Sequence, residues 1–454
     1  MTYPETMEYF RQIASRGSVL GLDKIRALLG VLGDPQEQVP SVHIAGTNGK
    51  GSAGAMLAAA LAADGRKVGR YVSPAVFGER EILQVLPAGG GEARWVSEEA
   101  YAGLASAVRE ADETAGIGAT GFEIQTAMAF LYFLREDCDI ALVEVGMGGR
   151  LDATNVIRHP RLCLFTHISR DHMQFLGESI AEIAAEKAGI LKPGVRAVSA
   201  PQEAEAAGVL RSRSEELSCE LVMVSGEKIR QVETSADEEG LHTRMVYDGQ
   251  MYELALAWVH QAENAAAVIE AARALGVPDA AVREGLKHAA WPGRLELVRR
   301  KPPVILDGAH NEDAAGRLVE NLGRYYPGRE AIFCMGAFRD KEVRKELGIL
   351  RERGRRLIAF TTSSPRAMEA EDLCELAREA GFAAETAAGP LAAVHEAIRA
   401  AGEKDIVVCC GSLSFLGEIR QGLLAEEDLQ CYNHGNPQEM RRYDRNTGGD
   451  QIGS

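Results

Sequence analysis

The stretch AGTNGKGS at 45–52 sets three glycines around a lysine and ends on a hydroxyl. Gly46, Gly49 and Gly51 let the backbone turn tightly and aim amide N–H groups inward. Lys50 brings a formal positive charge, and Ser52 brings a hydroxyl that can sit beside a metal ion. Residues of these types at this spacing suit a polyphosphate. The usual GxxxxGK[ST] spacing is not met: its leading glycine would fall on Ile44, and Gly51 rather than Ser or Thr follows Lys50. The competing reading is a glycine turn with a solvated lysine. The flanks speak against it, because an apolar run precedes the loop and an Ala-rich segment follows it, the context a phosphate loop needs.

Four further residues could do chemistry. Glu144 sits inside the apolar run LVEVG, where a carboxylate must be ion-paired or metal-bound because burying it alone is costly. Ser73, at the end of VGRYVSP, is either a turn cap or a side chain presented to ligand. His172 follows Asp171 after another apolar run; a lone DH pair is equally compatible with ordinary structure. Lys187 lies in SIAEIAAEKAGI, where Ser179 suits a helix N-cap and Ile180, Ile183 and Lys187 share one helical face. That lysine either snorkels to solvent or is held in an apolar setting, which would lower its pKa and make it reactive.

These residues must be positioned by a scaffold, and the chain reads mostly as strand, loop and helix in repetition. Strands are expected at 41–45, 68–74, 139–149 and 162–169, with helices at 52–63 and 122–136. A second series has strands at 303–311, 331–338, 356–362 and 405–412, and a helix near 312–326. Such alternation implies parallel sheets with helices on both faces. The segment 230–253 alternates and is charged, suiting a hairpin or excursion of the first domain. The polar stretch 431–454 has too little apolar surface to offset its ordering entropy and is expected to be disordered.

The bulk numbers bound the partners. A chain of 454 residues is long enough for two or three domains. A net charge of -16 argues against a nucleic-acid binder or a polybasic membrane anchor. None of the eight Cys forms a CxxC pair, so a zinc site is not expected. With no signal peptide and no apolar run of membrane length, the expected setting is the reducing cytoplasm.

Taken in order, the motifs resemble those of folylpolyglutamate synthases and bifunctional dihydrofolate synthase/folylpolyglutamate synthases, within the Mur ligase superfamily of ATP-dependent amide-forming ligases. The resemblance spans roughly 18–420 and rests on GLDKIRALLG (21–30), AGTNGKGS (45–52), YVSP (71–74), GFE (121–123), VEVGMGGRLDATN (143–155), DH (171–172) and EKAGILKPG (186–194). It continues through HQAEN (260–264), WPGRLE (291–296), DGAHN (307–311), DK (340–341) and GS (411–412). The displaced hydroxyl of the phosphate loop is itself a mark of this superfamily.

The resemblance implies a P-loop-containing, parallel-sheet ATPase domain at 1–296, a smaller Rossmann-like α/β glutamate ligase domain at 297–430, and a tail at 431–454. It implies that Gly49, Lys50, Gly51 and Ser52 hold ATP phosphates, with Asn264, Arg294 and Asp307 as further ATP contacts and His310 in the same cleft. Ser73, Glu144 and His172 would ligate magnesium, with two ions expected. Lys187 would be carbamylated and so become an oxygen ligand. Thr120, Phe122, Glu123, Leu151, Asp152 and Ala153 match segments that contact the pteroate substrate. Lys50, Lys187 and His310 would carry the chemistry. A substrate carboxylate would attack the γ-phosphate of ATP, giving an acyl phosphate that the α-amine of L-glutamate then opens. The implied partners are folate or dihydropteroate, L-glutamate and ATP, acting on a monomer. The chain departs from the family pattern at Ala75 (usually His), Glu312 (usually Pro) and Trp258 (usually Gly). Another Mur-type acid–amino acid ligase, or a P-loop nucleotide switch, is the alternative; the combination of Ser73, Glu144, His172 and Lys187 disfavours a switch.

Overall fold

The computed structural model describes residues 1–17, 19–171, 173–236, 241–257 and 261–434, with side chains through residue 425. His172, Trp258 and the stretch beyond 434 therefore lie outside the described residues. Two compact units result, the first ending at Pro292 and the second starting at Gly293. That junction lies just before the division expected at 296/297 and assigns Arg294 to the second unit. Local bonds explain it: the amide of Gly293 donates to Glu296 (2.9 Å) and that of Leu295 to Asp307 (2.9 Å).

The first unit holds an eight-stranded sheet. Its strands are β1 (Ser41–Ala45), β2 (Val68–Tyr71), β3 (Leu83–Leu86), β4 (Arg94–Trp95), β5 (Ile140–Glu144), β6 (Leu162–Phe165), β7 (Ala197–Ser199) and β8 (Leu221–Met223). The order is β4-β3-β2-β5-β1-β6-β7-β8. All neighbours from β2 to β8 run parallel. The parallel sheet expected is thus present, with two strands at one edge, β3 and β4, each pairing antiparallel with the strand before it. The reason is local. Gly89, Gly90 and Gly91 all take positive φ between β3 and β4, which reverses the chain in a few residues, whereas a parallel crossover needs a dozen or more.

Strand β1 lies between β5 and β6, so the loop that leaves it opens at the carboxyl end of the sheet where connections diverge, the usual ligand position in such sheets. The helix Lys50–Ala63 is buried almost throughout. Its small side chains allow close packing: a Cβ on Gly285, in the helix Asp279–His288, would come within 2.3 Å of the Ala60 nitrogen. On the other face the helices Glu98–Ala115 and Gly121–Arg135 form a second core with Tyr71, Val85 and Val143. The segment expected as a hairpin or excursion of the first domain is a three-stranded antiparallel sheet of β9 (Ile229–Ala236), β10 (Leu241–Tyr247) and β11 (Gln250–Leu254).

The second unit has β12 (Glu296–Arg300), β13 (Pro303–Leu306), β14 (Glu330–Met335), β15 (Gly354–Ala359), β16 (Ala383–Thr386) and β17 (Asp405–Cys410), in the order β12-β13-β17-β14-β15-β16. Only β12 is antiparallel to its neighbour. The expected strand ends at 307–311 and 411–412 are loops, because Asp307 and Gly411 turn the chain out of the sheet at its carboxyl edge. Among the described residues no helix is long and apolar enough to cross a membrane.

Candidate active site

The loop after β1 is built by its own backbone. Gly49 takes φ +90 as the N-cap of the helix Lys50–Ala63, a conformation that L side chains rarely adopt. The amides of Thr47 and Asn48 both donate to the His167 carbonyl (2.9 and 3.3 Å), and Thr47 Oγ1 donates to the Ser169 carbonyl (2.9 Å). The loop is thus tied to the segment that follows β6. Lys50 Nζ folds back onto the carbonyls of Gly46 (3.2 Å) and Thr47 (3.3 Å) and lies 3.9 Å from Glu144 Oε1. Ser52 is buried and accepts a hydrogen bond from Gln261 Nε2 (3.0 Å); Gln261 in turn accepts one from Asn264 Nδ2 (2.9 Å). Asn264 abuts Gly49, where a Cβ would come within 2.6 Å of its Oδ1.

Glu144 ends β5 and is 7% exposed. Register sets it beside Ile44, and sets Tyr71 beside Val143, so Ser73 and Glu144 emerge at the same end of the sheet. Ser73 Oγ is buried with no hydrogen-bond partner. An orphaned hydroxyl and a nearly buried carboxylate are hard oxygen donors that fit magnesium, a cation that keeps few protein ligands and takes phosphate and water besides. Among the described residues no group of three or more His, Cys, Asp or Glu side chains gathers to hold a metal ion without such help.

Lys187 belongs to the helix Ile180–Ala188, capped by Ser179 with Glu182 in a reciprocal capping box. It is 5% exposed and does not snorkel: its Nζ donates to the Gly46 carbonyl at 2.9 Å. Burial pushes its ammonium down to about 7, the charge of Lys50 adds to this, and Asp171 and Asp152 oppose it. Gly46, Lys50, Gly146, Asp171 and Lys187 line one recess. The phosphate loop, Lys187 and the glycine turn after β5 therefore converge.

The expected substrate residues divide. Phe122 packs its ring against Gly146, where a Cβ would come within 2.4 Å of Cζ, and against Tyr71 at 6.1 Å between centroids. Leu151 is partly exposed, and its carbonyl accepts the Gly21 amide (3.2 Å). Ala153 is buried in a short 3-10 turn. Asp152 is buried and committed: its carboxylate accepts the amides of Met147 (2.8 Å) and Thr154 (3.0 Å), and burial raises its pKa in spite of them. Thr120 and Glu123 are buried as the two halves of a capping box that opens the helix Gly121–Arg135. Their polar side chains are spent on the helix end and on each other, with Thr120 Oγ1 donating to Glu123 at 2.9 Å.

In the second unit, Asp307 is fully buried and accepts the amides of Leu295 (2.9 Å) and Ala309 (2.8 Å). Burial pushes its carboxyl up to about 6, against the opposing charge of Arg294. Arg294 lies over Gly308, whose hypothetical Cβ would overlap its Nη1. His310 holds Nδ1 at 2.7 Å from the Gly308 carbonyl, and because a carbonyl oxygen only accepts, Nδ1 is the donor. Glu312, at the family's Pro position, opens the helix Glu312–Tyr325 behind the N-cap Asn311, where an acidic side chain suits the helix dipole. Ala75 packs at the edge of the second core.

Sequence reasoning passed over two neighbours of this site, Gln261 and Arg70. Arg70 left a signal: it is a charge inside an apolar strand, as Glu144 is.

Known proteins resemble this chain in sequence and fold. The family model for the Mur ligase middle domain matches residues 93–272, and that for the Mur ligase glutamate ligase domain matches residues 293–413. The chain is 34% identical over 423 residues to the dihydrofolate synthase/folylpolyglutamate synthase of Bacillus subtilis, covering 89% of this chain and 95% of the relative. A folylpolyglutamate synthase of Mycobacterium tuberculosis, solved with ADP, superposes with a TM-score of 0.82 at 29% identity, over 93% of this chain and 99% of that one. A bifunctional folylpolyglutamate synthase/dihydrofolate synthase from Yersinia pestis, solved with AMPPNP and a manganese ion, superposes with a TM-score of 0.80 at 28% identity, over 93% and 98%.

Proposed function

The chain belongs to the dihydrofolate synthase/folylpolyglutamate synthase family of Mur ligases, and from that premise we propose that it joins L-glutamate to a folate at the expense of ATP. It is an ATP-dependent acid–amino acid ligase, so the nucleotide-switch alternative falls. The observation that carries the reading is the convergence of the phosphate loop, Glu144 and the buried Lys187 at the carboxyl end of β1 and β5.

The folate carboxylate attacks the γ-phosphorus and ADP leaves, giving an acyl phosphate. The neutral α-amine of glutamate attacks the acyl carbon, phosphate leaves, and one proton is released. Gly49, Lys50, Gly51 and Ser52 hold the phosphates, with Asn264 against the loop; Lys50 moves its charge from the loop carbonyls to the phosphate oxygens. Arg294, Asp307 and His310 are the further nucleotide contacts in this reading. Phe122 and Leu151 face the pteroate, while Thr120, Glu123, Asp152 and Ala153 shape the backbone around it. Ser73, Glu144 and His172 would hold two magnesium ions, which would supply charge neutralisation for the transferring phosphoryl group.

Lys187 is carbamylated in this reading. With a pKa of about 7, roughly half its amine is neutral at pH 7, and the neutral amine is the form that adds carbon dioxide. The nitrogen bonds the carbon of carbon dioxide and gives up one proton to solvent, so the site holds a carbamate anion, an oxygen donor, in place of a costly buried cation. A cytoplasmic monomer, with 1–296 serving ATP and 297–430 serving glutamate, completes the proposal.

The test is mass analysis of the folate product formed from ATP, magnesium and L-glutamate, with dihydropteroate and tetrahydrofolate as separate acceptors. Glutamylation of both is a bifunctional enzyme, and glutamylation of tetrahydrofolate alone is a dedicated polyglutamate synthase. Glutamylation of neither refutes the folate reading.

A further inference from the structure

Arg70 lies in β2, only 2% exposed. Its guanidinium stacks on the Trp291 ring, 4.7 Å from the centroid. Its Nη1 donates to Gln84 Oε1 (3.0 Å), and its Nη2 donates to the carbonyl of Gly51 (3.2 Å) in the first turn of the phosphate-loop helix. The Gln84 side chain is held in turn by donating to the Glu81 carbonyl (2.9 Å), and register sets Gln84 opposite Arg70 across β2 and β3. The same Trp291 ring closes over Gly51, where a Cβ would come within 2.5 Å of it. Arg70 and Trp291 thus grip the one residue that displaces the hydroxyl from its usual place after the lysine.

The charge balance is unusual. Among the described residues both hydrogen-bond acceptors of Arg70 are neutral, and its Nε has none. Glu144 and Glu81 act on it only through space, and burial pushes its guanidinium down to about 10. A buried cation without a paired anion is costly, and a packed apolar side chain in its place is commonly neutral or stabilising. Through its bond to Gly51 the guanidinium sits against the first turn of the phosphate-loop helix, beside the anion cradle.

We infer that Arg70 is a positioning residue for the nucleotide: stacked on Trp291 and bonded to Gly51, it fixes the first turn of the phosphate-loop helix and lends that turn a buried positive charge which the bound polyphosphate balances. The inference rests on the ATP reading of this loop. It makes affinity for any adenine nucleotide, rather than the acceptor or glutamate step, the quantity Arg70 controls.

The test is calorimetric titration of Mg·ADP into the full chain and into Arg70→Met and Arg70→Lys, with urea unfolding of each apoprotein and KM for the folate acceptor alongside. Arg70→Met should weaken Mg·ADP about tenfold, ~1.4 kcal/mol, with the acceptor KM unchanged. Arg70→Lys should recover most of that affinity because it keeps the charge. A purely structural role would not separate the two variants in this way. Wild-type affinity in Arg70→Met overturns the inference, as does an equal loss in both variants that tracks lost stability. Failure of the unaltered chain to bind Mg·ADP is a different result: it removes the ATP reading itself.

Discussion

Replacing Lys187 by Met should stabilise the apoprotein while abolishing activity. Burial lowers the ammonium from 10.5 to about 7. Below pH 7 both folded and unfolded chains hold the proton, so the folded state bears the whole penalty, about 4–5 kcal/mol at ~1.36 kcal/mol per unit. The bond from Nζ to the Gly46 carbonyl returns about 1 kcal/mol. Lys187→Met should therefore gain about 3 kcal/mol at pH 6. Between pH 7 and 10.5 the unfolded chain binds the proton and the folded chain does not. Wild-type stability from this group therefore rises with pH, by roughly 2–3 kcal/mol from pH 7 to 9, and the variant lacks that rise. The assay is urea unfolding of both proteins at pH 6 and pH 9 in buffer free of carbon dioxide, without nucleotide. A variant no more stable than wild type at pH 6, with the same pH slope, would refute the argument that burial strains this lysine.

Other outcomes follow from the same geometry. Because Ser73 Oγ has no partner in the fold, Ser73→Ala should leave the apo unfolding midpoint unchanged and raise the magnesium concentration needed for half-maximal activity; a large loss of stability would contradict this. Activity should fall in buffer stripped of carbon dioxide and return with bicarbonate in wild type but not in Lys187→Met, followed as ADP release. His43, fully buried and bonded through Nε2 to Thr154 Oγ1 (2.9 Å), has its pKa lowered by burial from 6.5 to about 3. Above pH 6.5 the group is neutral in both states. As pH falls below 6.5 only the unfolded chain takes the proton, and stability drops by about 2 kcal/mol by pH 5. His43→Gln should flatten that drop in urea unfolding at pH 7 and pH 5.

Much of this was readable in the chain because it is local. The phosphate loop, the N-cap Ser179 and the apolar face shared by Ile180, Ile183 and Lys187 are all set within a dozen residues, and periodicity exposes them. Thr120 and Glu123 show the converse. Their T-x-x-E spacing also writes a capping box, a local role that the spacing alone could have given. The antiparallel edge turns on Gly89-Gly90-Gly91, whose positive φ values reverse the chain between β3 and β4. Arg70 with Gln84 and Trp291, and Gln261 with Ser52, depend on strand register and helix packing between residues far apart in sequence. Composition and spacing carry no record of such pairs.

The most direct test of the central claim is oxygen transfer from acceptor to phosphate. A tetrahydrofolate labelled with oxygen-18 in its terminal carboxylate would be turned over with ATP, magnesium and L-glutamate, and the released phosphate weighed by mass spectrometry. Ligation through an acyl phosphate predicts one labelled oxygen in each phosphate released. Unlabelled phosphate alongside a glutamylated product would contradict it.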